Sequence, residues 1–339
     1  MLPSSVPWNS GQPKAREMSA TLIGRIAASK RTYIASVPAW RTRRVSIASP
    51  PSKTGIVAGS SSRKCRPVVV NGRRRGWMQI DTGSETTRIP RREAALAEAR
   101  EDAVVRTGAV DSTTPLHAPA RIDSIEIGGL LVRDVPALVE MEEHAPPAEG
   151  VLGALGTDFI ARFDPTINLL SRRLLLAPAG SGIGGYSGDI GVGAEQMGAL
   201  RFTRIGNTMR VRASLGEGPP LEFVLDTGAA ANTLDSTILR ERFGVREGDP
   251  RTRPVAAKGI AGRPFRTFSF PLPVPLVVDG TPLYGLSVLA EDRLGANLRG
   301  RTRTAGTLGL PLLSSMSLSI DFGKQEINYF LRGSRARGR

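Results

Sequence analysis

From Arg66 onward, short apolar runs alternate with turn signals in the manner of strands. The first run, Val68-Val69-Val70, is closed by Asn71-Gly72, a hairpin signal. The next, Trp77-Met78-Gln79-Ile80, leads straight into Asp81-Thr82-Gly83-Ser84. Far downstream the same order returns. Met209-Arg210-Val211-Arg212-Ala213 alternates with period two, Gly216 to Pro220 supplies the turn, and Glu222-Phe223-Val224-Leu225 leads into Asp226-Thr227-Gly228-Ala229. In both places a predicted strand delivers an aspartate onto a glycine-containing turn.

The correspondence continues, so the chain reads as an internal repeat. A short helical segment is predicted after each triplet, at Pro90 to Asp102 and at Asp235 to Phe243. A Gly-containing hairpin follows, near Thr107-Gly108-Ala109 and near Lys258-Gly259-Ile260-Ala261-Gly262. Further strands end in Gly128-Gly129 and in Asp279-Gly280. Next comes an apolar-Gly element, Val151-Leu152-Gly153 in the first copy and Thr307-Leu308-Gly309 in the second. Each copy closes with a strand pair. The predicted layout is a first half at 66–178, a Gly-rich linker at 179–198 and a second half at 199–331.

Composition agrees with many short strands: aromatics are 5%, while Gly and Pro number 38 and 25. The net charge of +15 changes the picture less than it first suggests. Residues 1–66 carry twelve Lys and Arg against one acid, Glu17, and the basic tail at 332–339 adds four Arg; the body between is balanced. A folded nucleic-acid binder carries its basic patch on the folded part, so no nucleic-acid partner is expected. No apolar run reaches the length of a membrane span. The single Cys65 forms no intrachain disulfide. Residues 1–65 read as a basic disordered leader or as the product of a misassigned start, ahead of an organelle transit peptide. Localisation stays open, because a misassigned start would hide a signal for export, to the periplasm for example.

One Asp-Thr-Gly is a weak signal, since Asp and Gly are ordinary turn residues. Two copies at the same point of a repeated strand pattern carry far more weight. Two carboxylates held face to face cannot both ionise cheaply, so they share one proton. The ionised partner can take a proton from water while the protonated one hydrogen-bonds a carbonyl. Such chemistry needs no cofactor and no metal. His117 and His144 lie in loop-like stretches without ligand spacing and read as solvated. Ser84 lacks the base pattern of a serine nucleophile. Its hydroxyl, absent at Ala229, is expected to donate to Asp81, making Asp81 the more readily ionised partner and Asp226 the proton holder.

These features resemble the retropepsin-like aspartic proteases of clan AA and, less closely, the pepsins. The resemblance rests on Asp81-Thr82-Gly83-Ser84, Asp226-Thr227-Gly228-Ala229 and the Leu-Gly elements, and covers roughly residues 66–331. It implies an all-β fold: two retropepsin-like acid-protease β-barrel halves pairing as a pepsin-like bilobal unit. It implies an aspartic-type endopeptidase acting on peptide or protein substrate, with Asp81 and Asp226 catalytic. Thr82, Gly83, Ser84, Thr227, Gly228 and Ala229 would support the dyad, with the two threonine hydroxyls tying the loops together. Leu152, Gly153, Leu308 and Gly309 would brace the loops. Thr107, Gly108, Ala109, Gly259, Ile260, Ala261 and Gly262 would lie in substrate-covering flaps, although neither flap has the aromatic residue of a pepsin flap. Asn168 stands where the second copy has Asp321. The Gly-rich tether favours a monomer with its site within one chain. The alternatives are a catalytically silent peptide-binding module of the same fold, or a homodimer pairing like halves across chains.

Overall fold

The structure is a computed structural model and describes residues 47–48, 57–58, 68–102, 105–106, 116–141, 150–169, 173–181, 194–258, 264–292 and 304–332. All lie within one compact unit, Thr42–Arg339. The fold is all-β, with four short helices among the described residues. None of these helices is long and apolar enough to cross a membrane.

The first copy closes on itself. Val68–Val70 pairs with Arg74–Ile80 through Asn71-Gly72, both at positive φ as the hairpin signal requires. Arg74–Ile80 runs parallel to Val151–Leu155, which also meets Arg88–Pro90. Arg88–Pro90 runs parallel to Leu130–Glu140, the second arm of a long hairpin with Leu116–Ile127. Leu116–Ile127 returns to Val68–Val70 and completes a ring of six strands. Ring closure leaves no unpaired edge inside the barrel. Period-two alternation then fills the interior, with Ile80, Ile89, Ile122, Val139 and Leu155 buried.

The second copy repeats the ring with one break. Thr208–Leu215, Leu221–Leu225, Gly306–Leu308, Thr233–Asp235, Ser287–Glu291 and Pro264–Pro271 pair in the same order. The counterpart of the long strand Leu116–Ile127 is split. Pro271, Pro273 and Pro275 separate Pro264–Pro271 from Leu276–Val278, and Leu276–Val278 is the part that returns to Thr208–Leu215. Proline has no N–H to give a ladder, so three prolines in alternation end the pairing there.

A third sheet joins the copies. Phe163–Asn168 and Met316–Asp321 pair antiparallel at its centre, flanked by Arg173–Pro178 and Glu326–Arg332. Ala194–Ile205 adds to Glu326–Arg332, and Ile47–Ala48 to Arg173–Pro178. Thr166 and Ser319, equivalent positions of the repeat, sit opposite each other with their buried hydroxyls 2.5 Å apart. A local two-fold relation between the halves therefore runs through this pair.

Several expectations shift. The first helix is only Arg91–Leu96, and Arg100–Glu101 is already a strand. The stretch predicted as linker up to Gly198 is strand from Ala194. His117 is not solvated: it is buried in Leu116–Ile127, opposite Glu140 in register. The prolines around it, Pro115 and Pro119, gave the segment its loop-like look. His144 and all the flap candidates, Thr107, Gly108, Ala109, Gly259, Ile260, Ala261 and Gly262, lie outside the described residues.

Candidate active site

The strands Arg74–Ile80 and Leu221–Leu225 each end at an aspartate whose N–H is fixed by the neighbouring parallel strand. Asp81 N donates to Leu155 O and Asp226 N to Leu308 O, both at 3.0 Å. The turns that follow interlock reciprocally. Thr82 N donates to Thr227 Oγ1 at 3.2 Å, and Thr227 N to Thr82 Oγ1 at 3.0 Å. Each hydroxyl then donates onward into the opposite half, Thr82 Oγ1 to Leu225 O at 2.8 Å and Thr227 Oγ1 to Ile80 O at 2.7 Å. Both threonines are fully buried, so each hydroxyl satisfies an N–H and a C=O that water does not reach.

The interlock brings the two carboxylates together. Gly83 N and Ser84 N donate to Asp81 Oδ1 at 3.1 and 3.0 Å. Gly228 N and Ala229 N donate to Asp226 Oδ1 at 2.7 and 3.0 Å. A Cβ on Gly83 would collide with the Asp226 carboxyl, and one on Gly228 would stand 2.7 Å from Asp81 Cγ. Glycine is required at both positions because each turn lies against the opposite carboxylate. Burial, followed by the charge of Asp81, pushes the Asp226 carboxyl up to about 7; the N–H groups of Gly228 and Ala229 oppose that rise.

The two sides differ around this frame. Asp81 Oδ2 is in an ion pair with Arg88 Nη2 at 2.7 Å, and Arg88 Nη1 reaches Glu140 Oε1 at 3.3 Å. Burial works against the Arg88 charge, but Asp81 and Glu140 outweigh it and raise its pKa. Thr233, which holds the Arg88 position in the second copy, donates to Glu291 Oε2 at 2.5 Å. Gln79 Nε2 donates across to Gly228 O at 3.3 Å, where the second copy has Val224. The expected Ser84 hydroxyl bond to Asp81 is not formed: Ser84 Oγ donates to Thr86 O at 2.8 Å. Only the Ser84 N–H serves the carboxylate, as the Ala229 N–H does.

The structure brings Asp81, Thr82, Gly83, Asp226, Thr227 and Gly228 together, with Ser84 and Ala229 contributing through their backbone. Leu308-Gly309 lies behind its turn as expected, but Leu152-Gly153 does not. The true counterpart in the first copy is Leu155-Gly156, whose carbonyl and N–H make the equivalent bonds. Gly156 N donates to Thr87 Oγ1 at 3.2 Å, as Gly309 N donates to Asn232 Oδ1 at 2.9 Å. Thr87 Oγ1 in turn donates to Asp158 Oδ1 at 2.9 Å. Leu152 is instead a core residue beneath Gly76. The shared pattern is Gly-x-Leu-Gly, at Gly153-Ala154-Leu155-Gly156 and Gly306-Thr307-Leu308-Gly309, and it was available in the sequence. Arg88 and Glu140 carried no comparable signal.

Residues 66–159 match the family model described as aspartyl protease, so the resemblance is shown over that span. No curated protein matches the chain. Among solved structures, the aspartic proteinase from Irpex lacteus aligns with 12% identity and a TM-score of 0.48, covering 87% of this chain and 99% of that chain.

Proposed function

We propose that this chain is an aspartic-type endopeptidase in which Asp81 and Asp226 together activate water against a peptide bond. The observation that carries the reading is the reciprocal Thr82–Thr227 interlock, which holds the two carboxylates on facing turns; burial and the charge of Asp81 raise the Asp226 pKa to about 7. Between the two ionisations the pair holds one proton, the state that hydrolysis needs. The ionised carboxylate takes a proton from water as the oxygen attacks the scissile carbonyl. The protonated one hydrogen-bonds the carbonyl oxygen and stabilises the tetrahedral intermediate. Collapse passes a proton to the leaving amine. The substrate is a peptide or protein.

The domain layout belongs to the same reading, with halves at 66–178 and 199–331 contributing one aspartate each. Contacts between the halves, from the interlock to the Thr166–Ser319 pair, favour a site within one chain over pairing of like halves across two chains. A tether between the halves keeps their effective concentration in the millimolar range, roughly, which chain–chain pairing does not match at enzyme dilutions.

The test is cleavage of casein or a peptide library across a range of pH by wild type, Asp81→Asn and Asp226→Asn. Each variant should lose activity by at least about a thousandfold, equivalent to roughly 4 kcal/mol in the barrier, while its thermal unfolding stays cooperative. A mixture of the two variants should stay inactive, because every molecule keeps one dead carboxylate. Retained activity in either single variant would overturn the shared dyad.

A further inference from the structure

We propose that Arg88 is a positioning residue: it holds Asp81 as the ionised member of the pair and so assigns the shared proton to Asp226. The inference rests on the reading of the two aspartates as a working dyad, and it replaces Ser84 as the source of the asymmetry between them.

Both oxygens of Asp81 face donors. Oδ1 accepts the N–H groups of Gly83 and Ser84, and Oδ2 accepts the Arg88 guanidinium at 2.7 Å. Oδ1 has both lone-pair directions taken by N–H groups and Oδ2 has one taken by Arg88, so donors fill three of the four acceptor sites of Asp81 and favour its anion. A charge-assisted bond to a cation adds a second preference for the anion. Asp226 has the same two backbone donors on Oδ1, but among the described residues no arginine is in an ion pair with it. The equivalent residue, Thr233, is turned away to Glu291 and also accepts from Thr307 N at 3.0 Å. Among the described residues, the two carboxylates share a backbone frame and differ in one directly bonded cation, Arg88.

Glu140 fixes where that cation sits. It takes the other guanidinium nitrogen, so Arg88 is stretched between two acids, and Arg88 Nε is buried without a hydrogen-bond partner. The guanidinium therefore makes its hydrogen bonds with carboxylates. Among the described residues, the ionisable groups near Asp81 include Asp226 across the pair, Arg88 on the adjoining strand, Glu140 behind Arg88, His117 opposite Glu140 in register, and Asp158 behind Thr87. Arg88 is the only cation among them with a direct bond to Asp81. The diagnostic measurement is the acidic side of the titration, where the first carboxylate of the pair changes charge.

The experiment compares the full-length wild type with Arg88→Thr, the residue of the other copy, and Arg88→Lys, which keeps the charge. Carbon-13 NMR of labelled aspartate carboxyls follows Asp81 and Asp226 without any substrate, and pH–rate profiles follow cleavage. In Arg88→Thr the Asp81 titration should move up by about one pH unit or more, with a smaller rise at Asp226. The acidic limb of kcat/KM should move up with it. Arg88→Lys should recover at least half of the shift, about what a less well-placed cation supplies. Should Arg88→Thr fail to fold, Arg88→Gln serves as the neutral variant. An Asp81 titration that stays put, or that moves no more than that of Asp226, overturns the assignment. If wild type cleaves nothing, the endopeptidase reading fails while the NMR titration still decides what Arg88 does to Asp81.

Discussion

Arg88 and Thr233 stand at the same place in the two halves, at the head of the strand that follows each Asp-Thr-Gly turn. One reaches across to its own aspartate, and the other turns outward to a glutamate. Their glutamates, Glu140 and Glu291, are also equivalent: each is paired in register beside the residue that ends that strand, Pro90 or Asp235. The contacts that bring the two carboxylates together are duplicated, from the threonine interlock to the four backbone N–H groups on the two Oδ1 atoms. The electrostatics are not duplicated. A symmetric frame can hold two carboxylates together, but it cannot decide which one ionises first. One substitution in a first-copy strand is enough to break that tie, because a cation in direct contact changes a carboxylate pKa by roughly one to three units.

The comparison can be broken at the part the halves share. Thr82→Val and Thr227→Val each remove a hydroxyl that accepts one buried N–H and donates to one buried carbonyl. An unsatisfied buried polar group costs about 1–3 kcal/mol, so each variant should lose roughly 2–6 kcal/mol of stability. Because the interlock is reciprocal, the two losses should agree within about 1 kcal/mol; the hydroxyls serve four different backbone groups, so the double variant should cost at least as much as the larger single loss and approach their sum. Urea unfolding measures all three, with Thr→Ser at each site as the control that keeps the hydroxyl. Single losses that differ by more than about 1 kcal/mol, or a double variant no worse than either single, would show that the two bonds are not equivalent and independent.

How much of this was legible in the sequence depends on whether a feature repeats. The triplets, the strands feeding them and the turn at Asn71-Gly72 all recur or carry local turn chemistry, and the structure has strands at Arg74–Ile80 and Leu221–Leu225 and positive φ at Asn71 and Gly72. The bracing element was misplaced by three residues because Leu152-Gly153 and Leu155-Gly156 both look like an apolar-Gly pair. Length alone cannot choose between them when the loops ahead differ in size. The bond from the aspartate N–H settles it, since Asp81 pairs with Leu155 as Asp226 does with Leu308. Arg88 was invisible for the opposite reason. Nothing recurs there, and a charged residue between Thr87 and Ile89 reads as an outward strand position. Its partners come from two other segments, a turn and the strand Leu130–Glu140, which only the closed barrel brings to it.

A second contrast lies behind the turns. In the first half the brace runs from Gly156 through Thr87 to the Asp158 carboxylate; in the second, Asn232 does the work alone and Pro311 stands in place of Asp158. Asp158 Oδ1 accepts from Thr87 N, Thr87 Oγ1 and Phe159 N, while Oδ2 is buried without a partner. Burial pushes its carboxyl up to about 6, against the pull of those bonds and of Arg162. The folded pKa thus exceeds the unfolded one, about 3.9, so the folded state binds more protons between those values. The stability linked to this group is full below the unfolded pKa and is lost as pH rises through about 6. Asp158→Asn keeps an oxygen for the three donors and removes the ionisation. Its stability relative to wild type should therefore climb from pH 4 to pH 7 by about 1–3 kcal/mol. Thermal unfolding of both proteins across that range measures the difference. A flat difference would mean that Asp158 titrates in the folded protein as it does in the unfolded chain.

The smallest expected effect concerns the residue that looked in sequence like the source of asymmetry. Ser84 and Ala229 differ by one hydroxyl directly after the two triplets. That hydroxyl donates to Thr86 O within its own loop, and the carboxylate contact at this position is made by the N–H, which alanine keeps. Removing it costs a partly exposed local hydrogen bond, worth about 0.5–1.5 kcal/mol, and leaves the bonds to Asp81 in place. Ser84→Ala should therefore lower the unfolding midpoint slightly and move the acidic limb of the pH–rate profile by less than about 0.3 pH units, well below a direct charge effect. Set beside Arg88→Thr, it separates two origins of the same asymmetry: one variant removes the cation and keeps the hydroxyl, and the other does the reverse. If Ser84→Ala moved the acidic limb as far as Arg88→Thr, the hydroxyl would have to reach Asp81 in the working enzyme. The ionisation order would then be set by the turn itself and not by the strand that follows it.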